Sequence, residues 1–225
     1  MIESKLSISD AMHSGFEMWK KNFLKIMIVG LIVYIPTQIC IELISIPLND
    51  ILLTHNDTSA TRLANSIYNL IRHLIGSVAL LSILSFIINK VENENVEEPT
   101  LKEMLQTGLR KWPTFIGVGI IAGLKILGYT LLLIIPGIYK SVRLSFIDCI
   151  VATNSNKFKD ECDESEDLVK NHWWEVFGFL VLIYLLQILL EMFLAFPLIY
   201  FIESKIILAS VAVILSLLET YFIVV

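Results

Sequence analysis

Of the 225 residues, 56% are hydrophobic and only 17% charged, where soluble domains run at about 45–50% and 25%. Mean hydropathy is +0.73, and so few charges cannot cover a soluble surface of this size, which excludes a soluble globular domain, a disordered chain and a disulfide scaffold. The formal net charge of −5 argues against a nucleic-acid partner, which selects a basic stripe.

The chain opens on Met1-Ile-Glu-Ser-Lys5, with no cationic segment running directly into an apolar core, so no cleavable signal peptide is expected. A helix needs about 20 mostly apolar residues to cross a hydrocarbon core of ~30 Å. Six stretches meet or approach that length: 26–48, 67–89, 114–135, 138–153, 174–197 and 206–225. The fourth is the shortest and carries Lys140, Arg143 and Asp148, so it is expected to be tilted, broken or enclosed by its neighbours. A segment with apolar residues at helical steps precedes each odd-numbered span. The first runs through Ile8, Met12, Phe16, Trp19 and Phe23, and the second through Leu101, Met104, Leu105, Leu109 and Trp112. The third, interrupted by acids, runs through Phe158, Cys162, Leu168 and Val169. These read as interfacial helices along the inner leaflet, with Ser9, Thr100 and Asp160 or Ser155 as candidate N-caps.

Orientation follows from Lys and Arg in the connections. Lys5, Lys20, Lys21 and Lys25, then Lys90, Lys102, Arg110 and Lys111, then Lys157, Lys159 and Lys170 fall on one side, against Arg62 and Lys205 on the other. Both termini are therefore expected in the cytoplasm. Trp19, Trp112, Trp173 and Trp174 each sit where a segment enters an odd-numbered span, and indole favours the headgroup level. All four are expected on the cytoplasmic face.

The units also align with one another. Ser14-Gly15-Phe16 with Trp19 matches Thr107-Gly108-Leu109 with Trp112, and Gln38, Glu42 and Pro47 match Gln187, Glu191 and Pro197. The predicted fold is a single all-α polytopic membrane domain over 1–225, with six transmembrane helices and three cytoplasmic-side interfacial helices. A threefold repeat of helix plus hairpin covers about 6–89, 99–153 and 160–225.

Two stretches, Leu131-Leu-Leu-Ile-Ile-Pro-Gly-Ile-Tyr139 and Ser165-Glu-Asp-Leu-Val-Lys-Asn-His-Trp-Trp-Glu-Val-Phe-Gly178, resemble the bacterial YciC-like membrane proteins and the membrane domain attached to some glycerophosphodiester phosphodiesterases. In that family an apolar run ends in Pro-Gly, followed by a short span, an amphipathic helix with a Ser, and a Lys-x-x-Trp-Trp entry. The resemblance extends loosely over the whole chain and implies a multi-pass protein of the bacterial inner membrane. It carries over no catalytic residues, and no soluble phosphodiesterase domain is expected within these 225 residues. One departure is Glu161 and Cys162, where the family shows Ala-Leu.

Charge inside a membrane is informative because each such residue costs about 2.5–3.5 kcal/mol at a helix centre. Glu42, Arg72, Lys125, Lys140, Arg143, Asp148, Glu191 and Glu219 are the residues concerned. If Pro136-Gly137 is the turn of an antiparallel hairpin, Lys125 and Asp148 lie at one depth, about 16 Å from it, and are expected to pair. Such a pair is either a structural salt bridge or a charged element of a transport path or headgroup site. Gln38 with Glu42, and Gln187 with Glu191, each share a helix face and are expected to point inward, towards an outer-leaflet cavity with Arg143. Arg72 and Lys140 are expected to snorkel to the outer interface. Gly119-xxx-Gly123, with Gly117 and Gly128, marks the third span as the crowded centre of the bundle.

No HExxH, P-loop, GxGxxG or membrane-level Ser/His/Asp set is present, so neither enzyme chemistry nor a metal or other cofactor is expected. Cys40, Cys149 and Cys162 read as buried apolar thiols, and the six acids between Asp160 and Asp167 as a solvated cytoplasmic face. The expected function is binding or movement of a lipid-like or small amphiphilic molecule. The alternative is an accessory or protective membrane protein whose charges only specify packing. Membrane lipids are the expected partners, with a membrane-protein partner or a homo-oligomer alongside.

Overall fold

The computed structural model describes residues 8–54, 58–92, 98–153 and 160–201; the expected sixth span, 206–225, lies outside them. Of the described residues 94% are helical and none is in a strand. The helices are α1 (Ile8–Thr54), α2 (Thr58–Glu92), α3 (Leu101–Leu132), α4 (Ile134–Arg143), α5 (Ile147–Thr153), α6 (Asp160–Val169) and α7 (Trp173–Phe201). Three of them, α1, α2 and α3, are long and apolar enough to cross a membrane, or four if the bent pair α6 and α7 counts as one.

The first two interfacial segments are not separate helices. α1 runs without a break for 47 residues, about 70 Å at 1.5 Å per residue. Its entry segment and its span are therefore one rod. Nothing between Lys20 and Lys25 stops a helix, because neither Gly nor Pro stands there. α3 likewise continues through Pro113 to Leu132. Its start is fixed by Thr100, whose side chain accepts from the Glu103 N–H at 3.3 Å. The Glu103 carboxylate returns the bond to the Thr100 N–H at 2.8 Å. α1 is already helical at Ile8, so Ser9 lies inside it rather than capping it.

α1, α2 and α3 run up, down and up, and α2 is the centre. In its most apolar stretch 56% of residues are buried, against 28% for α1 and 11% for α3. Ile26 and Val29 of α1, Ile83, Phe86 and Ile87 of α2 and Met104 of α3 form one core cluster. Close packing between α2 and α3 falls at Gly108, where a Cβ would lie 2.2 Å from Ser82 Oγ and 2.5 Å from the Val78 carbonyl. Gly119, Gly123 and Gly128, the glycines expected at the crowded centre, face open space instead. The open end of this trio is clamped by Glu98, which takes the ammonium of Lys25 and, at 2.6 Å, that of Lys90. Lys90 also donates to Asn22 Oδ1 at 2.8 Å. Hydrogen bonds from Lys25 and Lys90, with their charges, hold the Glu98 carboxyl down at about 2.

The second half of the chain is built differently. The chain reverses at Leu133, which is extended at φ −163° and ψ 146°. Pro136 and Gly137 lie inside α4, not at the turn; proline is tolerated there because a first helical turn needs no N–H from it. Gly137 lets α4 press on α3, since a Cβ there would sit 2.1 Å from Thr130 Oγ1. α4 ends at Arg143, a turn follows, and α5 carries the chain on until the Ala152 carbonyl meets the Lys111 ammonium. The expected fourth span is thus a broken return along α3, packed through Leu144, Ile147 and Val151 on Val118 and Ala122.

α6 does not lie across a span entrance. It runs back along α4, and α7 leaves it at 98°. Among the described residues, the first unit is two continuous helices, the second one helix with a broken return, and the third begins with a bent pair. Trp173 stacks on Tyr139 at 5.4 Å between ring centres, near the α4 start, whereas Trp112 bonds the Leu74 carbonyl of α2 at 2.7 Å. Lys170, Trp173 and Trp174 are grouped at the opposite end of α3 from Lys111 and Trp112, so the four indoles do not share one face. Cys162 is buried, Cys149 partly so, and Cys40 is exposed on α1, contrary to its expected burial.

Candidate functional site

Three cations from two helices converge on the acids of α6. Lys140 and Arg143 are i and i+3 on α4 and share a face, as do Asp163 and Glu166 on α6. Glu166 Oε1 lies 2.5 Å from Lys140 Nζ and 3.6 Å from Lys125 Nζ, and its Oε2 lies 3.6 Å from Arg143 Nη1. Lys125 also reaches Asp163 at 3.3 Å, and Arg143 Nη2 donates to the Glu166 carbonyl at 3.1 Å. Two rings line the group: Lys140 lies 5.1 Å from the centre of Tyr129, and Arg143 5.8 Å from that of Tyr139. Three cations thus share two carboxylates, Glu166 and the solvent-facing Asp163, on a helix that also carries the buried Glu161.

Lys125 therefore pairs with Asp163 and Glu166, not with Asp148. Because the reversal is at Leu133, three residues before Pro136, the register of α3 against its return shifts. Thr130 meets Gly137, Val118 and Val151 share one core cluster, and Lys125 and Arg143 reach the same Glu166, which puts Arg143 rather than Asp148 level with Lys125. Asp148 opens α5 half-buried and makes no ion pair among the described residues. Lys140 is 9% exposed and paired, so it does not snorkel. Arg72 bonds Asn69 Oδ1 one turn back, at 3.0 Å.

The acidic run is a solvated face only in part: Asp163, Glu164 and Asp167 are exposed, whereas Glu161 is buried and Glu166 half-buried. Cys162, Ser165 and Val169 are all 0% exposed and repeat at three and four, so α6 has one inward stripe carrying Glu166 at its edge. Ser165 joins this stripe to the break in the return. Its hydroxyl donates to the Arg143 carbonyl at 2.9 Å and accepts from the Phe146 N–H at 3.3 Å, satisfying both sides of the α4–α5 turn. Composition alone hid this; the spacing of 162, 165 and 169 was the available signal. Lys111, counted as a loop cation, is 8% exposed and donates to the Ala152 carbonyl, which also accepts from Ser85 Oγ at 3.0 Å. A cation thus closes the C-terminal end of α5.

Beside the cluster an open cleft of about 630 Å³ separates α4 from the start of α7, walled by Ile135, Ile138, Tyr139, Trp173 and Trp174 and rimmed by Lys170, Asn171, His172 and Glu175. Trp173 is fixed by its indole N–H on the Tyr139 carbonyl at 3.2 Å and by stacking on Phe177 at 5.1 Å. His172 Nδ1 meets Glu175 Oε2 at 2.9 Å. Gln38 and Glu42 do share a face, with Gln38 Nε2 donating to Glu42 Oε1 at 2.9 Å. They sit half-buried on α1, apart from the cluster. Gln187 is half-buried on α7, and the Glu191 side chain lies outside the described residues. No group of His, Cys, Asp or Glu suited to a metal ion occurs among the described residues. No protein-family model, curated protein or solved structure matches the chain.

Proposed function

We propose that this is a non-enzymatic, multi-pass protein of the bacterial cytoplasmic membrane that binds or moves a lipid-like or small amphiphilic molecule. The observation that carries the reading is the charged cluster of Lys125, Lys140 and Arg143 set against a cleft with aromatic walls and a polar rim. Apolar walls with a few convergent polar groups are what a ligand site requires, and an amphiphile has both halves. The likeness to the YciC-like proteins supports the location. The Lys/Arg groups before α1 and between α2 and α3, against Arg62 between α1 and α2, support a cytoplasmic N-terminus with α1, α2 and α3 as crossings.

A second reading is favoured by one observation: Glu166 already serves all three cations. In an accessory protein, an exporter partner or a protective factor, that lock would only fix packing. Native mass spectrometry with lipid extraction, on protein purified in mild detergent, separates the two. A defined amphiphile retained by the wild type supports the first reading. Bulk lipid in membrane proportions, or a stoichiometric protein partner in its place, overturns it.

A further inference from the structure

We infer that the cleft between α4 and the start of α7 holds the phosphate of a membrane phospholipid headgroup, a proposal that rests on the amphiphile-binding reading above and names its ligand. Four observations converge there. Lys170 stands on the rim with no ion pair among the described residues, although acids crowd the neighbouring helix. His172 spends Nδ1 on Glu175, which leaves Nε2 as the ring atom for a ligand. Trp174 is 77% exposed and meets Trp173 and Phe177 in T-shaped pairs; its N–H has no acceptor among the described residues. A phosphate diester only accepts hydrogen bonds: the Lys170 ammonium and the Trp174 indole supply donors on the cleft lining, and His172 Nε2 adds one when the ring, with its Nδ1–H given to Glu175, carries a second proton.

The fourth observation is the apolar side. Leu131, Leu132, Leu133, Ile134 and Ile135 are each 69–80% exposed and lead out of the cleft from Ile135, a strip suited to acyl chains and useless to a free phosphate ester. The volume, about 630 Å³, lies within the range of about 300–1,000 Å³ of ordinary ligand sites. It admits a glycerophosphate head and the first methylenes. Trp173, held on both faces, is the wall; Trp174 and Lys170 are the readers. The rim places them at the level where indoles and lysines meet headgroups in membranes.

The test uses the full chain in uncharged detergent micelles and reads tryptophan fluorescence. The probes are phosphatidylglycerol with brominated chains, diacylglycerol with the same chains, and glycerol phosphate as a competitor. The phospholipid is expected to quench half-maximally at a mole fraction about tenfold below that of diacylglycerol, the loss expected for one charge-assisted bond. Lys170→Gln should raise the phospholipid value several-fold towards that of diacylglycerol, and Lys170→Arg should not. Equal quenching by the two lipids in the wild type overturns the proposal without recourse to any variant. So does an unchanged titration in a Lys170→Gln protein of native circular dichroism. Competition by glycerol phosphate at the lipid's own concentration also overturns it, in favour of a soluble phosphate ester. A lipid that binds but ignores Lys170 sinks the cleft alone, whereas no binding by any amphiphile sinks the functional reading with it.

Discussion

The trio α1 to α3 and the assembly of α4 to α7 use two different kinds of cohesion. In the first, long continuous helices pack by shape: buried Ile, Val and Phe, and a glycine at the closest approach of α2 and α3. In the second, short helices are tied by directional bonds: the Ser165 hydroxyl across a turn, the Glu166 carboxylate among three cations, and the Lys111 ammonium on a carbonyl. Lipid tails are as apolar as leucine, so burial of apolar area gives little reason for helices to associate inside a membrane. Packing fit and polar bonds remain; the trio leans on the first, with its polar ties at Glu98 and Trp112, and the second half adds the second at its turns and helix ends. The half held by polar bonds is the half with the cleft.

Removing the shared counter-ion should break the second half most. Glu166→Gln leaves Lys140 and Arg143 without a carboxylate while Lys125 keeps Asp163, and stranding buried charge costs about 3–5 kcal/mol. The unfolding midpoint in mixed micelles of sodium dodecyl sulfate is expected to fall accordingly; an unchanged midpoint would show that α6 is not held by this carboxylate. The first half should break at its glycine. Gly108→Ala forces a methyl group against the Val78 carbonyl and Ser82 and is expected to cost about 1–3 kcal/mol. Gly123→Ala, on an open face, should be neutral or stabilising by up to about 1 kcal/mol. Equal costs for the two would erase the contrast between a packed and an open side of α3.

A smaller effect sharpens the register. A double-mutant cycle on Lys125 and Asp163 is expected to show coupling of about 0.5–1 kcal/mol, modest because Asp163 is exposed. A cycle on Lys125 and Asp148 should be additive within about 0.5 kcal/mol; the reverse result would restore the hairpin turn to Pro136-Gly137. The smallest effect belongs to the clamp at Glu98. Its carboxyl is held down at about 2 against an ordinary 4.5, so its contribution is complete above pH 4.5 and is lost as pH falls through about 2. Melting temperature measured between pH 6 and 2 should drop further for the wild type than for Glu98→Gln, and parallel curves would show that the clamp contributes nothing.

Long apolar runs made α1, α2 and α3 readable, and Thr100 with Glu103 marked where α3 begins. The breaks were harder to read, because proline and glycine bend a helix only outside its first turn and away from a close contact. Pro136 and Gly137 meet neither condition, so the reversal moved to Leu133 and the Lys125 partner changed with it. The acids of α6 were misjudged for a related reason. Composition counts charges, but Cys162, Ser165 and Val169 decide which way the helix faces. Of the candidate site residues, Arg143 and Lys125 joined one cluster, while Asp148, Gln38 and Glu42 stand apart from it.

The bond from Lys111 to the Ala152 carbonyl crosses 41 residues, and that separation has a meaning in time. A ribosome adds about 5–20 residues per second, so Ala152 follows Lys111 by roughly 2–8 s. Until then the ammonium of α3 has no acceptor at the end of α5 and must stay in water or among headgroups. The seat of the Lys111 end of α3 is therefore completed only once the return behind it has been made.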